Sequence, residues 1–148
     1  MSAVHVIHVD VLTFRPFDLS MLLMETDIRV RYAECDPMGV AHHTAYPVWF
    51  EMGRTELLRE SGLSYRDLEA DGCLLAVVKL AVQYKAPAKY DDVLQLETTL
   101  ESAGHVKIDH SYRLLRDGLL LATAQTTLAC LDRSGRPQPL PEILLSRE

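Results

Sequence analysis

The residues that could do chemistry are concentrated in one stretch, ECDPMGVAHHTAYPVWFEMGR, which runs from Glu34 to Arg54. It carries a carboxylate at Asp36 and adjacent imidazoles at His42 and His43, and side chains of these types exchange protons with bound molecules. A loop that only joins a strand to a helix needs turn residues and a cap. The stretch therefore predicts either an unusually polar connection or an active site.

These residues also have purely structural interpretations. Asp36 followed by Pro37 is an ordinary turn starter, and spacing alone favours that interpretation. His43 could cap the helix or pack near its start, and His42 fits a structural or substrate-contacting role better than a catalytic one. Cys35 suggests a thiol nucleophile, but no general base stands at a suitable spacing from it.

The composition is that of a globular protein with a real core. The chain has 148 residues, of which 48% are hydrophobic, and a formal net charge of -6. This length fits one domain, and the balance excludes a disordered chain. A net negative charge offers no general attraction to nucleic acid or to an anionic membrane, so we expect neither as a partner.

The three cysteines, Cys35, Cys73 and Cys130, are odd in number and far apart. They form no recognisable disulfide framework, which predicts a reducing, cytoplasmic setting. A zinc site made of Cys35, Cys73, His42 and His43 lacks ligand spacing, so no metal is expected.

The first 25 residues differ from the remainder of the chain. They lack the basic start and uninterrupted apolar run of a signal peptide, and charged residues and a proline interrupt any membrane span. The segment from Val4 to Phe14 is rich in β-branched residues and could form an extra strand. Alternatively, translation starts naturally at Met21 or Met24 and the extension is not native. The domain organisation predicted is therefore an extension over 1–25 and one domain over 26–148.

Alternating apolar positions predict a strand over 26–33, followed by the polar stretch and a long helix. Thr44 is the expected N-cap, and Gly62 the expected C′ residue that ends the helix. Gly53 lies in mid-helix, where glycine costs about 1 kcal/mol relative to alanine, so it predicts a close approach to another backbone. Arg54 falls on the side of the helix assigned to solvent.

The second half of the chain switches to a period of two. Ser64 and Asp67 suggest a capping box for a short second helix, and four strands follow. Asp117-Gly118 is a strong hairpin signal between the last two. Hairpin connections imply an antiparallel sheet, so the fold class is α+β, with one long helix covering the apolar face of the sheet. The four predicted strands are 74–84, 94–100, 106–114 and 119–131.

With this order of elements, the chain resembles the hotdog fold, in which an antiparallel sheet wraps a long central helix. More specifically, it resembles the acyl-CoA thioesterases grouped with 4-hydroxybenzoyl-CoA thioesterase and the Tol-Pal-associated thioesterases. The resemblance covers 26–132. It rests on RYAECDP from Arg31 to Pro37, then Gly39, His43, Tyr46 and the helix through Arg54, with a looser second stretch, YKAPAKYDD, from Tyr84 to Asp92.

The resemblance implies hydrolysis of an acyl-CoA or aroyl-CoA thioester to the free acid and CoA. It implies Asp36 and His43 as catalytic residues, with Asp36 acting as general base or as nucleophile. It also implies a homo-oligomer, typically a tetramer built from dimers, that uses no metal or cofactor besides the CoA of its substrate. The substrate-binding residues predicted are Tyr32, Gly39, Thr44 and Tyr46.

The chemistry also needs stabilisation of the oxyanion that develops on the thioester carbonyl. Backbone N–H groups of residues 43–45, at the positive end of the helix dipole, are the expected donors. Gly39 would let the backbone approach the acyl group closely. Two alternatives stay open: a non-catalytic acyl-CoA-binding hotdog domain, and a hotdog hydratase or dehydratase, whose loop is patterned differently.

Overall fold

The structure, a computed structural model, describes residues 4–7 and 22–145. Six strands form one antiparallel sheet in the order β1-β2-β4-β5-β6-β3, and the long helix α1 packs on β2 and β4. The α+β prediction is confirmed. The elements are β1 (Val4–Ile7), β2 (Leu22–Arg29), a 3-10 turn (Tyr32–Glu34), α1 (Ala45–Glu60), α2 (Tyr65–Ala70), β3 (Leu74–Tyr84), β4 (Val93–Ala103), β5 (Lys107–Arg116), β6 (Leu119–Leu131) and α3 (Glu142–Leu145).

The period-two pattern places the core where the sequence predicts it. On β4, Leu94, Leu96 and Thr98 are fully buried, and on β5, Tyr112 and Leu114 are equally enclosed. Successive side chains of a strand point to opposite faces, so these alternate positions meet α1 while their neighbours face outward. The hairpin between β5 and β6 turns at Asp117 and Gly118, both at positive φ, as that sequence predicts.

The first predicted strand lies further towards the N-terminus than expected, because β2 ends at Arg29 and not at residue 33. After β2, only Val30 still pairs with the neighbouring backbone, through bonds to Asp91 and Asp92. The Glu34 carboxylate then accepts the Arg31 N–H at 2.8 Å and closes a 3-10 turn. The strand does not continue to residue 33, because the Arg31 N–H bonds to the Glu34 side chain and not to the backbone of a neighbouring strand.

The N-terminal extension contributes β1, which pairs antiparallel with β2 through Val4 opposite Thr26 and Ile7 opposite Leu23. The strand β2 itself begins at Leu22, before the predicted domain boundary. Residues 8–21, which include most of the segment predicted as an extra strand, lie outside the described residues.

The start of α1 differs from the prediction. Thr44 occupies the N-cap position, but its side chain makes no capping bond. Its hydroxyl is instead 2.7 Å from Nδ1 of His42, so the side chain that could have capped the helix is used within the preceding loop. The end of α1 is as predicted, with Gly62 at φ +88° as the C′ residue.

Gly53 lies where α1 comes closest to the sheet. A Cβ at this position would overlap Oγ1 of Thr98 and lie 2.8 Å from Cδ2 of Leu96. The predicted close approach is confirmed, although the neighbours are side chains of β4 and not a backbone.

Arg54 corrects the prediction that it faces solvent, since it is only 6% exposed. Its guanidinium reaches the Tyr112 hydroxyl at 3.2 Å. Arginine is assigned to solvent by default because a charge is costly to bury without partners. Here the hydroxyls of Tyr112 and Tyr65 accept hydrogen bonds from the guanidinium.

The cysteines are arranged differently from the zinc alternative. Cys73 is buried against Cys130, with their sulfurs 2.8 Å apart and both thiols free. Burial raises the pKa of the Cys73 thiol to about 12. Among the described residues, no three His, Cys, Asp or Glu side chains are grouped as metal ligands. In the same part of the chain, no helix has the length and apolar character to cross a membrane.

Candidate active site

A pocket of about 420 Å³ opens beside the N-terminal end of α1. Its volume lies in the range of sites that bind small molecules. Three candidates for chemistry, Asp36, His42 and Thr44, line it together. The remaining lining residues are Arg31, Ala33, Glu34, Cys35, Pro37, Ala45 and Val48.

The loop that carries Asp36 is a tight hairpin. Cys35 and Ala41 pair as an antiparallel bridge. The Asp36 N–H donates to the Val40 carbonyl at 2.9 Å, and the Gly39 N–H donates to the Asp36 carbonyl at 3.0 Å. Gly39 has φ +80° and open space around its Cβ position, so the turn requires glycine for its backbone conformation.

The second family-like stretch holds this hairpin in place. The Ala41 N–H donates to the Ala88 carbonyl at 2.7 Å, and Val40 and Lys89 form a further antiparallel bridge. Because Ala88 is fully buried, the hairpin is anchored to the core. Two stretches separated by nearly 50 residues in the sequence therefore meet beside the pocket.

Asp36 combines the two interpretations that the sequence leaves open. Its Oδ1 accepts the Met38 N–H at 2.8 Å, which is the side-chain turn that an aspartate before proline predicts. Its second oxygen has no protein partner among the described residues. The turn thus fixes the carboxylate while one oxygen stays available to a molecule in the pocket.

Glu34 is a site residue that the sequence interpretation missed. It is 9% exposed, accepts the indole N–H of Trp49 at 2.7 Å and lies 3.3 Å from the Arg31 guanidinium. The carboxylate therefore ties the Asp36 loop to the buried face of α1. The signal available in the sequence was an acidic residue two positions before Asp36, directly after the strand predicted over 26–33.

The two histidines occupy different positions. Nδ1 of His42 lies 2.7 Å from Oγ1 of Thr44 and 3.2 Å from its backbone nitrogen, on the wall of the pocket. His43 does not line the pocket. Its ring lies against that of His42 with centroids 4.1 Å apart and planes tilted by 34°, and its carbonyl accepts the Tyr84 hydroxyl at 3.0 Å.

The backbone N–H groups of residues 43–45 were expected to be free at the helix start, and this prediction is wrong for two of the three. The Thr44 N–H points to His42 Nδ1, and the Ala45 N–H donates to the His42 carbonyl at 2.9 Å. The N–H of His43 is the one that pairs with no described residue. The positive end of the α1 dipole still lies at the pocket.

Two further predicted substrate-binding residues lie away from the pocket wall. Tyr32 is 80% exposed and meets the Tyr90 ring edge-on with centroids 5.6 Å apart. Tyr46 is buried against Trp49 and Tyr84, at 4.8 Å from each ring, and burial raises its pKa. Their contacts with substrate stay predictions.

Comparison with known proteins identifies the family of this chain. Residues 30–147 match the model of the thioesterase-like superfamily. An acyl-CoA thioesterase, YbgC, from Haemophilus influenzae is 37% identical over 114 residues, covering 76% of this chain and 83% of that protein. The acyl-CoA thioester hydrolase YbgC from Escherichia coli is 30% identical over 130 residues, covering 86% and 97%.

Among solved structures, a DHNA-CoA thioesterase from Staphylococcus aureus superposes with a TM-score of 0.77 at 32% identity, covering 80% of each chain. The hotdog architecture that the sequence predicts is thereby confirmed. The chain belongs to the thioesterase-like superfamily.

Proposed function

We propose that this protein hydrolyses acyl-CoA or aroyl-CoA thioesters to the free acid and CoA, with Asp36 as the central catalytic group. The observation that carries the proposal is the Asp36 carboxylate. One of its oxygens is fixed by the Met38 N–H, the other bonds to no described residue, and Asp36 lines a pocket at the positive end of α1. The family membership and the names of its relatives support the substrate class.

Two routes use this carboxylate. As a general base, Asp36 takes a proton from water, the water oxygen bonds to the carbonyl carbon, and the C–S bond breaks. As a nucleophile, its free oxygen bonds to the carbonyl carbon, CoA leaves, and water cleaves the resulting anhydride. In both routes CoA departs as a thiolate and then takes up a proton.

The helix start supplies polarisation of the thioester carbonyl. The unpartnered His43 N–H and the positive end of α1 stabilise negative charge on the carbonyl oxygen. A single well-placed donor of this kind is worth about 3 kcal/mol of transition-state stabilisation. Glu34 holds the loop that carries Asp36 close to the start of α1, because it bonds to Arg31 beside the loop and to Trp49 in α1.

The function is tested by thiol release from a panel of short-chain, long-chain and aromatic acyl-CoAs. We expect saturable turnover of at least one panel member by the wild-type protein. Binding of acyl-CoA without turnover of any member would contradict the proposal and favour the non-catalytic binding domain.

The two routes are separated by a single turnover in 18O-labelled water with enzyme in excess. The general-base route puts label in the acid product alone. In the nucleophile route, water that attacks Cγ of Asp36 breaks the bond from Cγ to the bridging oxygen, which leaves an unlabelled Asp36 oxygen in the acid. The label then enters the Asp36 carboxylate, where its detection by peptide mass spectrometry identifies this route.

We also propose that the protein is a homo-oligomer whose first contact is the edge strand β3. One edge of β3 pairs with β6, and the other pairs with no strand among the described residues. The apolar side chains in the middle of β3 are not covered by α1, since Val78 is 55% and Leu80 43% exposed. A long apolar edge strand is a ready template for a second strand, and a second copy of β3 would cover it.

Light scattering after size-exclusion chromatography tests the assembly. We expect a dimer or a dimer of dimers for the wild type, and a shift towards monomer for Val78→Lys, whose charge opposes burial of the edge. The matched control is Gln83→Lys, which adds the same charge at an already polar position of β3. A wild-type monomer would contradict the proposal.

The cytoplasm is the location that we propose. Cys73 and Cys130 remain thiols although their sulfurs nearly touch, a state that suits a reducing compartment.

A further inference from the structure

His42 contacts Thr44 through one ring nitrogen, and this pairing restricts where its proton can be. Nδ1 lies 3.2 Å from the Thr44 nitrogen and 2.7 Å from the Thr44 hydroxyl oxygen. A backbone N–H can only donate, whereas a hydroxyl can donate or accept. If Nδ1 carried the proton, its N–H would face the Thr44 N–H, and one of the two contacts would be repulsive. Both contacts are favourable only when Nδ1 is unprotonated.

A neutral imidazole with an unprotonated Nδ1 carries its proton on Nε2. Nδ1 is occupied by Thr44, so Nε2–H is the polar group that His42 can offer to a molecule in the pocket. His42 lines this pocket together with Asp36. The backbone N–H groups of Thr44 and Ala45 are already engaged by His42 itself, and the site needs another donor for an oxyanion.

We propose that His42 is held by Thr44 as the Nε2–H tautomer and donates a hydrogen bond from Nε2 to the thioester carbonyl oxygen. It acts as a neutral electrophile and keeps its proton throughout, so Asp36 remains the group that handles the proton of water. The His43 ring lies against that of His42, with centroids 4.1 Å apart, and limits the movement of the imidazole. The catalytic part of this assignment rests on the proposed thioesterase function, whereas the tautomer does not.

The tautomer is measured without substrate. Long-range 1H–15N correlation on protein labelled with 15N-histidine, recorded at pH 8, reports which ring nitrogen carries hydrogen. We expect the Nε2–H pattern for His42, assigned from the signal lost in His42→Asn. Thr44→Val removes the hydroxyl but keeps the backbone N–H that donates to Nδ1, so the Nε2–H pattern is expected to persist in this variant. Thr44→Ser is the matched control and should keep the wild-type pattern. An Nδ1–H pattern in the wild type, or in Thr44→Val, would overturn the assignment.

The donor role is tested with two amides that differ in reach. The side-chain nitrogen of glutamine reaches about as far as Nε2, and that of asparagine about as far as Nδ1. We expect His42→Asn to lower kcat roughly tenfold or more, with little change in KM, and His42→Gln to recover most of the loss. Equal kcat in His42→Asn and wild type, or equal losses in both variants, would contradict the donor role.

The outcomes separate this inference from the function on which it rests. Turnover by the wild type that His42→Asn leaves unchanged overturns the donor and preserves the thioesterase. An Nε2–H tautomer in a protein that hydrolyses no acyl-CoA overturns the thioesterase and preserves the tautomer.

Discussion

The two ends of α1 each contact a cluster of polar groups, and the clusters differ in what they leave available. At the N-terminal end, Asp36 lines an open pocket, and one of its oxygens bonds to no residue that the structure describes. Towards the C-terminal end, Arg54 bonds to the hydroxyl of Tyr112, which lies 2.6 Å from the hydroxyl of Thr126. All three residues of this second cluster are buried. Access to an unused polar atom, and not polarity itself, distinguishes the candidate site from the buried cluster.

The histidines show the same contrast. His42 lies on the pocket wall, whereas His110 on β5 is 8% exposed. Burial, together with the Arg54 cation, lowers the pKa of His110 to about 3, and Asp109 opposes this shift only in part. His110 therefore stays neutral at physiological pH and cannot exchange protons with a ligand. We expect substitutions in the buried cluster to change stability and substitutions at the pocket to change turnover.

The largest effect on stability is expected for Gly53→Val. The new side chain overlaps Thr98 and Leu96, and overpacking of this kind costs about 3 kcal/mol. Urea unfolding at fixed protein concentration measures the loss. Thr55→Val, on the same helix and nearly isosteric, is the control and should stay close to wild type. A lower kcat per folded molecule of Gly53→Val would contradict the expectation that substitutions in the buried part of α1 change stability and not turnover.

A smaller effect is expected for Tyr112→Phe. It removes the hydroxyl that receives the buried Arg54 guanidinium and pairs with Thr126. Hydrogen bonds to charged groups contribute about 1.5–3 kcal/mol, so we expect a loss of about 2 kcal/mol by urea unfolding. Thr126→Val in the Tyr112→Phe background should cost less than Thr126→Val alone. Additive losses would show that the hydroxyls are not coupled.

The smallest effect is the pH dependence that His110 contributes. Its folded pKa of about 3 lies below the unfolded value of about 6.5. As the pH falls below the unfolded pKa, His110 therefore binds a proton in the unfolded chain but not in the native state. The contribution to stability is full above that value and is lost as pH falls towards 3. Between pH 7 and 5.5 we expect a loss of about 1 kcal/mol.

The loss is measured as the difference between wild type and His110→Gln in urea unfolding at the two pH values. The variant lacks the titrating group, so its stability should fall less over this interval. Equal slopes for the two proteins would mean that His110 takes up its proton in the native state over the same range.

The strands were predictable because each depends on a local pattern. Leu94, Leu96 and Thr98 are buried and alternate with half-buried residues, and Asp117-Gly118 specifies its own turn. The end of β2 was not predictable in this way, since it depends on a bond between Arg31 and the Glu34 side chain. The burial of Arg54 depends on tyrosines far away in the sequence, and single-sequence patterns do not report such partners.

The site was predictable as a stretch and less so as an arrangement. Asp36 and Thr44, both predicted as site residues, line the pocket, and the histidine that lines it is His42 and not His43. His42 and His43 are adjacent, so the sequence pattern does not distinguish their roles. The ring that lines the pocket is the one that contacts the Thr44 backbone and hydroxyl. Glu34 was missed because its role depends on Trp49, one turn into a helix that follows the loop.

The most direct test of the central claim compares thiol release by Asp36→Asn and Asp117→Asn. Asparagine at position 36 keeps an oxygen for the Met38 N–H and removes the basic carboxylate. Asp117 is an exposed turn residue at positive φ, where asparagine fits equally well. We predict that Asp36→Asn lowers kcat/KM by about 10²–10⁴ with unfolding unchanged, and that Asp117→Asn stays within about twofold of wild type. An Asp36→Asn enzyme that retains wild-type turnover would contradict the account.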